Sequence, residues 1–201
     1  MKISTTLFKL SFLAFIFIFA SCEKENLSEN VTTADASAKA SEMANPSPAS
    51  QQGDATIAEI VIASASEEEN PQFTKLLAAL VATDLAGVFA GEDNYTVFAP
   101  TDEAFDAVLG SDFDYENIDE DTKAILTDVL LYHVTDGRRF SNSVVPKRNS
   151  REIETLLGSS FYVYPDLTID AIGSEANIVT ANIAASNGVI HVIDTVLLPT
   201  E

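Results

Sequence analysis

Between residues 54 and 200 the apolar positions follow two different rhythms. In the first half they recur every three or four residues. Phe73, Leu76, Leu77, Leu80 and Val81 stand at i, i+3, i+4, i+7 and i+8, one stripe of a 3.6-residue period. That spacing predicts an amphipathic helix, with Pro71 just inside its start, where a missing N–H costs no hydrogen bond. A shorter helix is predicted from about Thr56 to Ala65. Ile118, Ile125, Val129 and Leu130 mark another, ending near Tyr132. Between them Tyr95–Ala99, YTVFA, reads as a short buried strand. Pro100-Thr101-Asp102-Glu103 then opens a helix, with Thr101 as N-cap and two acids in the first turn, where the helix dipole favours them.

In the second half the rhythm shortens to two. Glu152–Leu157, Phe161–Tyr164, Leu167–Ala171, Asn177–Ala181 and Val189–Leu198 are short, rich in β-branched residues and separated by turn formers, so they read as strands. Asn187-Gly188 signals a type I′ hairpin. The last strand, in GVIHVIDTVLLP, is apolar on both faces and is expected to be central and covered on both sides. Helices first and strands later predict an α+β domain over 54–201.

The N-terminal region follows neither rhythm. Lys2 and Lys9 precede Leu10–Ala20, a run dominated by apolar side chains. As a helix it would span roughly 16 Å, about half a bilayer core, so it reads as a secretory signal rather than a membrane span. Ala20 and Ser21 stand before Cys22, the only cysteine. The arrangement resembles a bacterial lipoprotein signal over 1–21, which implies that Cys22 is the lipidated first residue of the mature chain. Glu23-Lys24-Glu25 partly resembles the short signals that send some lipoproteins to the cell surface, so the expected location is the outer membrane, on its cell-surface or periplasmic face. Residues 22–53 are Ser, Ala, Asn, Thr, Glu and Pro with almost no large apolar side chain. They cannot bury enough surface to offset chain entropy and read as a disordered tether with a root-mean-square reach of roughly 30 Å.

Charge narrows the partners. The chain carries 31 acidic and 11 basic side chains, a formal net charge of −20, which argues against nucleic acid. One cysteine and two histidines exclude a disulfide framework and Cys/His zinc clusters. There is no G-x-S-x-G, no H-E-x-x-H and no glycine-rich phosphate loop, so neither an enzyme nor a cofactor is expected. Asp112-Phe113-Asp114-Tyr115-Glu116 has the start of a calcium loop. Asn117 and Lys123 stand where that pattern needs Gly and Glu, and no metal site is assigned; a loose, weak cation site in the loop stays open.

Three segments carry a family resemblance. YTVFAPTDEAF (Tyr95–Phe105), LLYHV (Leu130–Val134) and NIAASNGVIHVIDTVLLP (Asn182–Pro199) are similar, in order and spacing, to the signatures of the fasciclin, or FAS1, domain. The resemblance implies a wedge-shaped β-sandwich with a helical cluster, and an adhesive function at the cell surface. Tyr132 and His133 match the family's Tyr-His motif, which the resemblance makes a candidate for partner binding. Read from the residues alone, His133 and His191 are hydrogen-bonded core groups, and Asp194 is a carboxylate held by backbone N–H or hydroxyl donors.

Two surface features complete the candidates. Five of the seven basic residues in 54–201 (Arg138, Arg139, Lys147, Arg148 and Arg151) fall within fourteen positions, a basic patch suited to an acidic partner such as an anionic polysaccharide. Tyr162 and Tyr164 share a strand face opposite Phe161 and Val163 and are placed to stack on sugar rings. The expected partners are therefore extracellular matrix, polysaccharide or a surface protein, with the membrane touched only through the lipid. The alternative is a carrier of a glycan or a small apolar ligand.

Overall fold

The computed structural model describes residues 53–69 and 71–200. The expected signal peptide, Cys22 and the tether up to residue 52 lie outside the described residues.

Helix α1 (Ile57–Ala65) begins at Thr56. The Thr56 hydroxyl accepts the N–H of Glu59 at 3.2 Å, and Glu59 Oε2 accepts the N–H of Thr56 at 2.8 Å. This reciprocal pair satisfies donors that a helix start leaves unbonded. Helix α2 (Thr74–Ala82) starts three residues later than Pro71 suggested, because Phe73 adopts a left-handed backbone (φ 61°) that no helix interior accepts. A turn of 3-10 helix follows at Val88–Ala90. Strand β1 (Tyr95–Pro100) enters α3 (Asp102–Leu109) through Thr101, whose hydroxyl accepts the Ala104 N–H at 3.3 Å.

Helix α4 (Glu120–Tyr132) is capped by Asp119, which accepts the Thr122 N–H at 2.7 Å. Ile118 thus precedes the helix. Ile125, counted above as a core position, is 66% exposed, while Leu126 and Leu130 point inward. Strand β2 (Val134–Asp136) and helix α5 (Ser141–Val144) are too short for a sequence period to register. The remaining strands are β3 (Arg151–Glu154), β4 (Ser160–Val163), β5 (Thr168–Asp170), β6 (Glu175–Ala185) and β7 (Gly188–Ile193).

All seven strands form one mixed sheet, in the order β2-β1-β7-β6-β5-β4-β3, and the domain is α+β as expected. The eleven-residue β6 is the corner: its start pairs with β5, the rest with β7, and register shifts between Ile178 and Ile183 bend it. The sheet curls until its ends meet. The Leu156 N–H, just past β3, donates to the Val134 carbonyl at 2.7 Å, and the Thr135 hydroxyl donates to the Glu154 carbonyl at 2.7 Å. These two bonds bring the end strands together and cover part of each edge.

The curled sheet divides the core in two. On its outer side Val97, Ala99, Ile190 and Val192 pack under the helices with Ile57, Leu76, Phe105 and Leu126. On its inner side Phe98 and Ile193 meet Tyr132, Ile153, Phe161, Val163 and Ile169. Adjacent residues of β1 thus serve opposite cores, as the two-residue period requires. Strand β7 is buried along its whole length between β1 and β6, which accounts for its double-sided apolar sequence.

Candidate functional site

The three signature segments lie far apart in sequence and are neighbours in the fold. β1 pairs in parallel with β7, Val97 beside Ile190 and Phe98 beside His191. The Tyr-His segment closes against both: the Phe98 N–H donates to the His133 carbonyl at 2.9 Å.

Tyr132 and His133 sit at the end of α4 and are both buried. The Tyr132 hydroxyl donates to the Ser160 carbonyl at 2.9 Å and accepts the Ile172 N–H at 3.4 Å. The ring packs edge-on against Phe161, and burial raises the phenol pKa. His133 Nε2 accepts the Leu197 N–H at 2.8 Å, so Nδ1 carries the proton and donates to the Val129 carbonyl at 2.7 Å. Burial pushes the imidazole down to about 4. The pair therefore ties α4 to strand β4 and to the segment after β7, and neither side chain faces solvent.

His191 is built the same way. Its Nε2–H donates to the Arg139 carbonyl at 2.9 Å, Nδ1 accepts the Asn182 N–H at 3.4 Å, and the ring lies 5.4 Å from that of Phe98. Burial lowers its pKa too. Two asparagines of the same signature have roles the sequence did not indicate: Asn182 was not singled out, and Asn187 only as a turn former. Asn182, at φ 67° in the β6 bend, accepts the Ser141 N–H at 2.7 Å and donates to the Ser141 hydroxyl at 2.8 Å, capping α5. Asn187 accepts the Ile57 N–H at 2.8 Å and donates to the carbonyls of Phe89 and Gly91 at 2.8 and 2.9 Å. The expected Asn-Gly turn is displaced by one residue: Ala185 pairs with Gly188, so Ser186 and Asn187 make the turn. Gly188 serves close approach instead, because a Cβ there would meet the Tyr95 carbonyl oxygen at 2.1 Å. Asp194 has the partners expected of it, the Asn177 N–H at 2.7 Å and the Thr195 hydroxyl at 3.1 Å, at an exposed position just past β7.

The surface candidates divide. The Arg138 guanidinium donates to the Ala185 and Ser186 carbonyls, Arg139 Nε to the Asp136 carbonyl at 3.1 Å, and Arg151 to the Ser143 carbonyl. These three fasten the α5 connection to its surroundings. Lys147 and Arg148 stand exposed on the loop before β3. Tyr162 is 43% exposed on β4, while Phe161 and Val163 beside it are buried. Its cross-strand neighbours are Glu152 and Asp170, and Asp170 pairs in turn with Glu175. Tyr164, half-buried, borders the same carboxylates with Asp166 and Thr168. The outer face of β3–β6 is thus a tyrosine-and-carboxylate surface.

In the acidic loop, Asp114 accepts the N–H groups of Glu116 and Asn117 and the Asn117 side-chain amide, so its carboxylate is used within the loop. Among the described residues no group of three His, Cys, Asp or Glu side chains is arranged to hold a metal ion.

The Fasciclin domain family model matches residues 71–199. A relative from Synechocystis sp., protein sll1483, is 36% identical over 131 residues, covering 65% of this chain and 69% of its own. The cell surface glycolipoprotein MPB83 of Mycobacterium bovis is 31% identical over 140 residues, covering 65% of this chain and 57% of its own. Among solved structures, a FAS1 domain pair from the insect cell adhesion molecule fasciclin I superposes with a TM-score of 0.53 at 17% identity, over 72% of this chain and 51% of that one.

Proposed function

The chain belongs to the fasciclin domain family, and on that premise we propose that it is an adhesion module displayed outside the cytoplasm. Lipid on Cys22 holds it to the outer membrane, and residues 23–53 space the domain from the lipid surface. It binds matrix polymer, polysaccharide or a surface protein through weak contacts multiplied by display density, and it performs no catalysis.

The observation that carries this reading is how the fold uses its polar residues. Tyr132, His133 and His191 are consumed by main-chain hydrogen bonds inside, whereas Lys147, Arg148 and Tyr162 project outward. Lys147 and Arg148 suit an acidic polymer, with Arg138 and Arg139 fastening the connection that leads to their loop, while Tyr162, between Glu152 and Asp170 on β4, suits an uncharged sugar ring. The names of two similar proteins, a cell surface glycolipoprotein and a cell adhesion molecule, point the same way. The carrier reading has less support. The wholly apolar cleft between α3 and α4 holds about 110 Å³, below the roughly 300–1,000 Å³ of typical ligand pockets, and the depressions of about 340, 470 and 540 Å³ are open to solvent and lined in part by charged side chains.

The test is attachment of cells displaying the full chain to immobilised acidic polysaccharide, with K147E/R148E and Tyr162→Ala compared with the parent. Reduced attachment at equal surface display supports the reading. Attachment unaffected by either change, or by deletion of the whole chain, overturns it.

A further inference from the structure

Helices α3 and α4 leave a cleft with Val108 and Ile125 as its lips and Phe105, Leu126, Val129 and Leu198 among its walls. The lips are conspicuous: Val108 is 43% and Ile125 66% exposed. Ile125 stands within α4, and Val108 in the last turn of α3. Its exposed lining is apolar, Thr122 being the one polar residue beside it. An apolar cavity of about 150 Å³ stays dry and accepts benzene. At that ratio, this one of about 110 Å³ accepts some four carbons, the size of a leucine or isoleucine side chain.

The rim carries one sign of charge. Asp121 and Asp128 lie four residues before and three after Ile125 on α4, the two spacings that make helix neighbours. Asp112 adjoins Phe113 on the connecting loop, and all three carboxylates are exposed. The basic residue of this helix, Lys123, points elsewhere and is bonded to Asp84 at 2.6 Å. An exposed aliphatic stripe edged by carboxylates with no cation of its own is complementary to a segment of opposite design.

We propose that this cleft is a second interaction surface, which takes a leucine or isoleucine side chain from a partner polypeptide flanked by lysine or arginine. The apolar side chain fills the apolar cleft, and the flanking cations answer Asp121, Asp128 and Asp112. Seating one aliphatic group gives modest affinity, and the charges make it salt-dependent. The inference is independent of the lipid anchor and of the outer sheet face.

The probe is a synthetic helical peptide with one leucine between lysines at i−4 and i+3, titrated into the full chain in detergent by fluorescence anisotropy. Binding should weaken about tenfold or more with Ile125→Ser, and roughly two- to fivefold with each of Asp121→Asn and Asp128→Asn. All three positions are exposed, so folding is retained, as circular dichroism will verify. Lys147→Glu, on the loop before β3 and not among the cleft's lining residues, should leave peptide binding unchanged. The proposal is overturned if the leucine-to-serine or lysine-to-glutamate peptide binds equally well, or if the three variants bind like the parent. It is equally overturned if Ile125→Ser abolishes self-association in sedimentation, or binding to neutral phosphatidylcholine vesicles, without affecting the peptide. Those results would assign the cleft to a second copy or to lipid.

Discussion

The N–H of Leu197 donates to Nε2 of His133 across 64 residues of chain, at 2.8 Å. Only a neutral imidazole accepts that bond, and burial holds His133 neutral down to about pH 4. The unfolded histidine titrates near 6.5. Below that value the unfolded chain binds the additional proton, so stability is full above pH 6.5 and falls as pH drops toward 4. His191 adds in the same direction. Urea denaturation at pH 7 and pH 5 should show the decline, and it should be shallower in His133→Gln, which has nothing to titrate. Equal pH slopes in the two proteins would contradict the assignment.

Asp102 begins one helix and caps another. Its Oδ2 accepts the N–H and hydroxyl of Thr74 at 3.2 and 2.8 Å, and Oδ1 accepts the Lys75 N–H at 2.9 Å. Phe73, at the cap position of α2, has no polar side chain for this task. Asp102→Ala should therefore cost about 1–2 kcal/mol in urea denaturation, with Asp102→Asn intermediate. A cost no larger than that of an exposed control, Glu103→Ala, would show the cap to be dispensable.

Gly188→Ala places a methyl group on the Tyr95 carbonyl oxygen, 2.1 Å away, where the obstacle is backbone rather than a flexible side chain. The parallel β1–β7 pairing has to open, and the expected loss is about 3 kcal/mol or more, read as a lower thermal midpoint or failure to accumulate. Gly87→Ala, with open space around it, is the control.

Asn187 closes three main-chain groups at once. Asn187→Ala leaves the Ile57 N–H and two carbonyls without that partner, and should cost about 2–4 kcal/mol. Asn187→Asp keeps the acceptor but turns a buried carboxylate toward the Phe89 and Gly91 carbonyls, so it should cost at least as much as Asn187→Ala in the same measurement.

Tyr115 tests the opposite case. Its hydroxyl is buried without a hydrogen-bond partner, and burial, with Asp106 and Asp102 nearby, raises the phenol to about 12. Tyr115→Phe keeps the edge-on contact with Phe113 and removes the stranded group. Stability should stay level or rise by up to about 1 kcal/mol; a clear loss would mean the hydroxyl is satisfied in solution.

Much of this arrangement is legible in the residues. The helix caps at Thr56 and Thr101 act over three residues of chain, so a local pattern suffices to place them. The alternation of Phe161, Tyr162 and Val163 states which ring faces out before any sheet is known. The three signatures identified the family because they hold the crossing of β1, α4 and β7. The misreadings share one cause. Pro71, Ile125 and Asn187-Gly188 each fit a local rule, and each is overridden by a contact or backbone angle set from elsewhere: the Phe73 backbone and Asp102 at α2, the α3–α4 cleft at Ile125, Tyr95 at Gly188.

The sequence by itself determined the α+β class, the family and the division of polar from apolar faces, because hydrophobic period, capping and turn chemistry act over a few residues. Only the tertiary structure decided that Tyr132, Asn182 and Asn187 are internal fasteners, which main-chain groups His133 holds, and that Val108 and Ile125 form the lips of a cleft. Those roles depend on pairings between segments far apart in the chain, and one-dimensional spacing does not specify which distant backbone group a side chain will meet.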